Sequence, residues 1–371
     1  MGHPSNITVV GGGIIGCAVA YELARRGTAV SVVEGRDVGG GATQASAGML
    51  APFIEAQHLS HLWTLGARSL ELYDTFVADV VNDSGRSVPY ERTGTIQVAV
   101  DKASLERLER TEERLSSAGV SCRLLTRAEA IIAEPQLGSN VCGALIVSSH
   151  GFVGASALTA ALRHASAERG VCFMTSEEAS RISMDGGSIV VETARGRVTS
   201  DAVVVAAGCW AGSLLVEGAA QLPIRPVRGQ LLRLLWNEVR LARTVWGPGC
   251  YVVPWSDGSI LVGATVEEVG FDEGATVSGV TTLLEAVCDL LPAAREAGFD
   301  SVRVGLRPAT PDDLPAVGRS AAIPNLVYAT GHYRNGVLLA PLTARLVAAL
   351  MLDGNQDPLL DAVAPSRFGE L

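Results

Sequence analysis

The pattern of apolar and polar residues at the start of the chain predicts a strand, a tight turn, a helix and a second strand. Residues 7–10 form a β-branched run, residues 18–26 are rich in helix formers, and residues 29–33 are apolar again. Gly27 follows the helical stretch, a position where glycine commonly ends a helix. Two strands joined by one helix form a βαβ unit, so the pattern predicts a parallel sheet.

Later segments show both helical and strand periodicity. Thr126, with Glu129 three residues on, predicts a capping box at the start of a short helix that ends before Pro135. Turn signals at residues 185–187 and 256–258 predict two hairpins. The other predicted helices cover residues 59–81, 104–117, 155–169, 281–291 and 336–351, and the predicted strands lie in residues 88–100, 181–193, 201–207, 230–235, 251–253, 260–265 and 325–329.

The order of these elements predicts the domain organisation. Nucleotide-type α/β pieces lie at both ends of the chain and near residues 150–220, and antiparallel pieces lie between them. We therefore expect an α/β fold, with a Rossmann-like nucleotide domain and an inserted antiparallel β-sheet domain of α+β type. The predicted nucleotide domain is residues 1–85, 150–222 and 301–371, and the predicted substrate domain is residues 86–149 and 223–300.

Composition restricts the possible partners. Of 371 residues, 48% are hydrophobic and 18% are charged, which is enough apolar content for a large core. The net charge of −10 and the lack of basic runs argue against nucleic acid and anionic membranes as partners. Seven cysteines without a CxxC pair and six histidines without metal spacing predict no metal site. No signal peptide is recognisable, so we expect a soluble cytoplasmic protein.

A glycine motif occupies the turn of the βαβ unit. Gly11, Gly13 and Gly16 fit the pattern GxGxxG, and Glu34 follows the second strand. The first glycine allows a tight turn, the second a close approach of a pyrophosphate, and the third close packing of the helix on the strand. An acid at position 34 can accept hydrogen bonds from ribose hydroxyls and disfavours a 2′-phosphate. The motif predicts a dinucleotide, and on its own it does not separate NAD from FAD.

Two further stretches suit the same ligand. Residues 39–49 carry almost no side-chain bulk, which would let the backbone run along an extended ligand; a flexible surface loop is the alternative. Residues 203–208 read as a buried strand that ends at Gly208 and would complete the sheet of an FAD domain.

Two arginines lie in apolar segments rich in glycine and proline. Arg307 follows Gly305 in what reads as a proline-rich loop through residue 312, and Arg334 precedes the last predicted helix. Each could be an ordinary surface arginine, but guanidinium groups form forked hydrogen bonds with carboxylates. We interpret the two arginines as a candidate carboxylate clamp, with Tyr251 as a possible further donor.

With these residues the chain resembles the D-amino acid oxidase family of FAD enzymes, most closely its glycine oxidase branch of the thiamine pathway. The matching stretches are residues 9–16, 46–50, 250–254, 262–265, 305–308 and 331–341, so the resemblance covers nearly the whole chain. It implies that the nucleotide domain binds FAD and that the chain forms a homo-oligomer, a homotetramer. Family members that tether flavin use a carboxy-terminal cysteine, and none follows Cys288, so we expect non-covalent FAD.

The resemblance also implies roles for individual residues. Arg307 and Arg334 would bind the substrate carboxylate, and Tyr251 would assist. Together with the glycine motif, the residues expected at FAD are Gly11, Gly13, Ile14, Ile15, Gly16, Glu34, Gly35, Ala42, Thr43, Ala47, Gly48, Met49, Ala179, Gly208, His332, Arg334, Asn335, Gly336, Val337 and Leu338.

The chain departs from the family pattern at two positions expected in the pocket. Gly249 replaces a histidine, and Val266 replaces a methionine. Both changes would enlarge or depolarise the pocket. We therefore extend the expected substrates from glycine to sarcosine, other N-alkyl glycines and small D-amino acids.

The implied reaction is oxidative deamination by hydride transfer to flavin, with O₂ as acceptor. Its products would be glyoxylate or another 2-oxo acid, ammonia or an amine, and hydrogen peroxide. A dehydrogenase of the same fold, which passes electrons to a quinone or carrier, is the first alternative. A non-catalytic FAD-binding subunit is the second, although retention of Tyr251, Arg307 and Arg334 argues against it.

Overall fold

The computed structural model describes residues 4–55, 60–236 and 240–371. Its helices are α1 (Ile14–Arg25), α2 (Pro52–Glu55), α3 (His61–Ser84), α4 (Lys102–Ser117), α5 (Arg127–Ala133), α6 (Ala155–Ala167), α7 (Val277–Leu290) and α8 (Gly336–Ala348). Its strands are β1 (Asn6–Val10), β2 (Ala29–Glu34), β3 (Met49–Leu50), β4 (Tyr90–Glu91), β5 (Thr95–Ala99), β6 (Cys122–Thr126), β7 (Gly143–Val147), β8 (Gly151–Val153), β9 (Cys172–Thr175), β10 (Ala179–Asp185), β11 (Ser188–Thr193), β12 (Gly196–Ser200), β13 (Ala202–Val205), β14 (Leu215–Val216), β15 (Arg225–Leu235), β16 (Thr244–Trp246), β17 (Tyr251–Pro254), β18 (Ser259–Gly263), β19 (Gly298–Ala309), β20 (Ala316–Arg319) and β21 (Leu326–Thr330).

A six-stranded sheet in the order β20-β21-β13-β1-β2-β9 forms the centre of the nucleotide-type part. All its strand pairs are parallel except β20 with β21. Val204 packs among the helices on one face, and Val203 and Val205 pack against the cluster of β10 and β11 on the other. Both faces are therefore covered, which explains the uninterrupted apolar run in β13.

An eight-stranded sheet in the order β19-β15-β18-β17-β16-β5-β7-β6 forms the second large layer. Its pairs are antiparallel apart from β5 with β16. Val252, Val262 and Leu232 on this sheet pack against Leu283 and Val287 of α7. The mixed architecture confirms the predicted α/β class with an antiparallel second sheet.

The last helix is a core element. The helical segment Gly336–Asp353 has the length and composition of a membrane span, and it is the one such segment in the described part of the chain. However, 78% of it is buried inside the fold, and its side chains pack with α1 and α3. Its apolar character therefore reflects burial in the protein core.

Several local predictions are confirmed. Thr126 and Glu129 form the reciprocal capping box at α5. The two turn signals connect β10 to β11 and β17 to β18 as antiparallel hairpins. The predicted start of α3 at residue 59 lies outside the described residues. Residues 39–48 are not only loop, because Ala42–Ala45 form a turn of 3₁₀ helix.

The reading of residues 305–312 as a loop was wrong for its first part. Residues 305–309 belong to β19, which begins at Gly298 and runs across the predicted domain boundary at residue 301. The strand occupies the edge of the eight-stranded sheet. An edge strand tolerates Pro308, which has no N–H to donate. It also accommodates glycines and charged residues, so β19 lacks a clear apolar pattern.

Candidate active site

The glycine turn lies at the carboxyl end of β1, where the order of the six-stranded sheet reverses. Gly11 has φ 107°, and a Cβ there would lie 2.4 Å from the carbonyl oxygen of Ala206. Its N–H donates to the carbonyl oxygen of Val33 at 2.8 Å. The turn is thus enclosed by both neighbouring strands and requires glycine. Ligands of open α/β sheets bind in the crevice at this point.

The two later glycines of the motif have different surroundings. Gly13 precedes α1 with φ −71° and faces a large cavity. A Cβ on Gly16 would lie 1.8 Å from the carbonyl oxygen of Gly11, so Gly16 allows α1 to pack against β1. Thr43 Oγ1 accepts a hydrogen bond from the N–H of Ile14 at 3.1 Å. The positive end of the α1 dipole still points at the cavity and favours an anionic group there.

Glu34 ends β2 beside this turn. One carboxylate oxygen accepts a hydrogen bond from the N–H of Gly12 at 2.6 Å, and the other accepts from the N–H of Arg36 at 2.8 Å. The two backbone donors fix the orientation of the carboxylate at the cavity wall. Carboxylate oxygens can accept further hydrogen bonds, so Glu34 can bind hydroxyl groups.

A single cavity of about 460 Å³ extends from this turn to the edge of the eight-stranded sheet. Of the residues expected at the ligand, Gly16 alone does not line it, because its role is helix packing. The others line it: Gly11, Gly13, Ile14, Ile15, Glu34, Gly35, Ala42, Thr43, Ala47, Gly48, Met49, Ala179, Gly208, Tyr251, Arg307, His332, Arg334, Asn335, Gly336, Val337 and Leu338.

The small residues of the loop at 39–49 are explained by close backbone contacts. Gly48 has φ 71°, and a Cβ there would lie 1.7 Å from the carbonyl oxygen of Val153. Ser46 Oγ accepts a hydrogen bond from the N–H of Gly48 at 3.1 Å. The N–H of Val153 donates to the carbonyl oxygen of Gly48 at 2.9 Å, which anchors the loop to β8 as a cavity wall of low bulk.

Arg307 lies on β19, and its side chain reaches the cavity wall. Its Nη1 donates to the carbonyl oxygen of Thr265 at 3.0 Å and to that of Arg228 at 3.3 Å. Tyr251 lies on β17, with its ring 5.3 Å from that of Trp246. A Cβ on Gly263 would lie 2.4 Å from the Tyr251 hydroxyl oxygen, so this position leaves room for the tyrosine.

The segment that carries Arg334 is fastened to the Arg307 strand. Tyr333 donates its N–H to the carbonyl oxygen of Pro308 at 2.9 Å, and His332 forms a β-bridge with Ala309. The segment then enters α8, since the N–H of Asn335 donates to the carbonyl oxygen of His332 at 2.8 Å. Two sequence regions with candidate arginines thus border one cavity.

His332 is almost fully buried, and its Nε2 lies 3.0 Å from Thr343 Oγ1. Burial lowers the pKa of His332 to about 3. The ring is therefore neutral at physiological pH. A neutral imidazole, rather than a cation, borders the cavity at the start of α8.

The structure brings further residues to the cavity that the sequence motifs did not single out. The Arg36 guanidinium stacks 4.3 Å from the ring centre of Trp210, and its two Nη atoms donate to the Glu273 carboxylate at 3.0 and 2.8 Å. Arg36, Trp210 and Glu178 line the cavity. Proximity to Glu34 and Gly208 in the sequence was the available signal for Arg36 and Trp210.

Neither position that departs from the family pattern lines this cavity. Gly249 lies in a turn with φ 77°, and a Cβ there would contact Ala286 at 3.3 Å. Val266 is 54% exposed. The expectation that both changes alter the pocket directly is therefore not supported by their positions.

No cluster of three or more histidine, cysteine or acidic side chains suits a metal ion within residues 4–55, 60–236 and 240–371. Glu34 and Glu178 are the acidic residues of the described cavity lining. Both lie on the nucleotide side, since Glu178 packs beside Gly35. Arg307, Arg334 and Tyr251 add cationic and phenolic groups to the described cavity lining.

The two buried histidines should make the fold sensitive to acid. Burial lowers the pKa of both His150 and His332 to about 3, below the 6.5 of an exposed histidine. The unfolded chain therefore takes up protons as the pH falls from 6.5 towards 3, and the free energy of unfolding decreases. By pH 5 the loss should reach about 2 kcal/mol for each histidine.

Denaturant unfolding at pH 5, 6 and 7 measures this slope. His150→Asn and His332→Asn should each flatten it. An unchanged slope in both buried variants would show that these groups do not carry the acid sensitivity.

Comparisons with known proteins place these features in a family. The chain matches the family described as DAO, FAD dependent oxidoreductase, over residues 6–350. It is 34% identical to the glycine oxidase of Geobacillus kaustophilus over 95% of this chain and 94% of that protein. A crystal structure of glycine oxidase from the same species has a TM-score of 0.91 at 33% identity, with 96% of each chain covered. The bifunctional protein ThiO/ThiG of Trichormus variabilis is 35% identical over 98% of this chain, which spans only 55% of that longer relative.

Proposed function

The chain belongs to the DAO family of FAD-dependent oxidoreductases, and from that premise we propose that it oxidises glycine or a small amine or amino acid related to it. Sarcosine, other N-alkyl glycines and small D-amino acids are the candidate substrates. O₂ is the proposed acceptor, and the proposed products are glyoxylate or another 2-oxo acid, ammonia or an amine, and hydrogen peroxide. The observation that carries the proposal is one cavity lined by both the glycine turn and the Arg307 side chain.

The cavity fits the cofactor of the family, FAD. The bare backbone at Gly13 leaves space that a side chain would fill, and the start of α1 favours a pyrophosphate there. Glu34 is oriented to accept hydrogen bonds from ribose hydroxyls. The residues from Ala42 to Met49 and those at the start of α8 would enclose the rest of the FAD molecule. When bound, the flavin supplies the hydride acceptor for the substrate carbon and the route of electrons to O₂.

We propose that the FAD is held without a covalent bond. Cys209 is the one cysteine in the described cavity lining. Burial, the largest effect, raises the pKa of its thiol to about 12. A protonated thiol is a poor nucleophile, which argues against a tether at this position.

The protein residues would act by positioning and charge. Arg307 binds the substrate carboxylate, Arg334 adds positive potential, and Tyr251 donates a hydrogen bond. The acidic residues of the described cavity lining, Glu34 and Glu178, lie on the nucleotide side. His332 stays neutral, so it adds no charge that would compete for the same anion. Fixing the substrate by its carboxylate orients its α-carbon, which lowers the entropic part of the barrier.

The predicted domains and assembly belong to this proposal. All six strands of the mostly parallel sheet fall within residues 1–85, 150–222 and 301–371, which supports these ranges as the FAD-binding domain. Residues 86–149 and 223–300 would form the substrate domain. We further propose a cytoplasmic homotetramer, on the same family resemblance.

A peroxide-release screen tests the reaction. Glycine, sarcosine, N-ethylglycine and D-alanine should each be assayed for peroxide and for oxygen uptake, and at least one should give both in equal amounts. Methylamine is the matched control, because it has the amine of glycine without the carboxylate, and it should be turned over far more slowly. Turnover with a quinone but without oxygen uptake would instead identify a dehydrogenase. No turnover with any acceptor would support a non-catalytic subunit.

A further inference from the structure

The Arg307 guanidinium occupies a place that the neighbouring strand leaves vacant. Gly229 lies on β15, beside the strand that carries Arg307. A Cβ on Gly229 would lie 2.2 to 2.5 Å from Nη2, Cζ and Nη1 of Arg307. Such distances are far below van der Waals contact, so even a methyl group would displace the guanidinium.

The two carbonyl groups that accept from Arg307 belong to residues joined by one carboxylate, that of Glu267. Thr265 Oγ1 donates to Glu267 Oε1 at 2.6 Å, and Arg228 Nε donates to Glu267 Oε2 at 3.1 Å. The backbones of Arg228 and Glu267 also exchange hydrogen bonds of 2.8 and 3.0 Å. Thr265 and Arg228 are the residues whose carbonyl oxygens receive Nη1 of Arg307.

This hub, formed by Glu267 with Thr265, Arg228 and Gln230, is partly buried: the Glu267 side chain is 23% exposed. Arg228 is 3% exposed, and Gln230 Nε2 donates to Glu267 Oε1 at 2.8 Å. Burial alone would raise the pKa of Glu267, but hydrogen bonds from Thr265, Arg228 and Gln230 outweigh it and lower the pKa. Every one of these partners donates, so the hub requires an ionised carboxylate. A glutamine would bring an N–H₂ group against donors.

We propose that Glu267 is a positioning residue for Arg307. The missing side chain at Gly229 leaves the space in which the Arg307 guanidinium is held for the substrate carboxylate. The inference rests on the proposed function, in which Arg307 binds that carboxylate. Glu267 lies outside the described cavity lining, whereas Gly229 borders the cavity beside the Arg307 guanidinium. Losing Glu267 or the space at Gly229 lets the guanidinium leave the orientation in which its N–H donors can form a forked pair with a carboxylate, and a forked pair depends on orientation more than a single contact does.

Gly229→Ala is the first test, with flavin-loaded enzyme and the best substrate of the peroxide screen. KM should rise about tenfold, while kcat changes less than threefold and flavin content stays near wild type. Gly298→Ala is the matched control, since it lies in the same strand pair and its Cβ would have contacts of 3.8 and 3.9 Å. In an Arg307→Ala background, Gly229→Ala should have no further effect on KM.

Glu267→Gln is the second test, and KM should rise about fivefold. Glu268→Gln is its control, because the neighbouring Glu268 pairs with Arg225 at the surface. Titration with glycolate, followed by the flavin absorbance, should show the same loss of carboxylate affinity without turnover. If Arg307→Ala raises KM but both Gly229→Ala and Glu267→Gln leave it unchanged, the positioning inference is wrong and the clamp stands. If Arg307→Ala itself leaves KM unchanged, the proposed role of Arg307 fails first.

Discussion

Arg307→Ala should raise the substrate KM by about ten- to a hundredfold. A charge-assisted forked pair between a guanidinium and a carboxylate, in a site shielded from water, contributes roughly 1.5–3 kcal/mol. Each 1.4 kcal/mol corresponds to about a factor of ten in affinity. Arg307→Lys should recover only part of the loss, because an ammonium group cannot present the fork. Flavin content should remain near wild type, since Arg307 lies on β19 and away from the glycine turn.

Steady-state kinetics on flavin-loaded protein measures this effect. Arg303→Ala is the matched control: Arg303 lies on the same face of β19, four residues earlier, but does not line the cavity. Its KM should stay within twofold of wild type. A purely structural arginine would behave differently, with lost stability and lost flavin but ordinary KM in the protein that stays folded. That pattern in Arg307→Ala would refute the clamp.

The nucleotide half of the fold was readable from sequence because its constraints are local. Gly11 must have positive φ and touch a neighbouring strand, and Glu34 must end β2. Each requirement fixes a residue type at one position, so both residues can be recognised in the sequence by their type and spacing. The buried parallel strands are apolar on both faces, so β13 was recognisable as a continuous run.

The antiparallel part was harder to predict because its edge strands carry mixed signals. β19 has charged residues, two glycines and a proline, and it pairs with β15 over its whole length. Its status as a strand depends on that partner rather than on its own pattern. The sequence therefore identified Arg307 as a candidate from its glycine- and proline-rich context and from the family resemblance, but assigned it to the wrong kind of element.

Contacts between distant segments could not be anticipated at all. Arg36 and Glu273 are 237 residues apart, yet their forked ion pair fastens the segment after β18 to the nucleotide side of the cavity. Gly229 lies just before the predicted strand at residues 230–235, and the need for a glycine there becomes visible only in the structure, where the Arg307 guanidinium occupies the space of its missing side chain. The spacing of residues in the sequence does not show which distant residues meet, because that depends on how the strands pair in the fold.

Gly13→Ala and Gly16→Ala should separate cofactor binding from folding. A Cβ on Gly13 would have one neighbour within 4 Å, Thr43 Oγ1 at an ordinary 3.5 Å, and the residue has φ −71°. The apo protein should therefore fold with near wild-type stability. The added methyl group would occupy the approach to the start of α1, so the affinity for FAD should fall by about tenfold or more, which is 1.4 kcal/mol or more.

Gly16→Ala should instead affect folding stability more than FAD binding. Its Cβ would lie 1.8 Å from the carbonyl oxygen of Gly11, which forces α1 away from β1. Overpacking of this kind costs about 1–3 kcal/mol of stability, measurable by denaturant unfolding of the apo protein. FAD released by heat and quantified by absorbance gives the cofactor content of each variant, with Gly298→Ala as the common control. If Gly13→Ala lost stability as strongly as Gly16→Ala, or kept full FAD affinity, Gly13 would be a packing glycine and the pyrophosphate would have to bind elsewhere in the cavity.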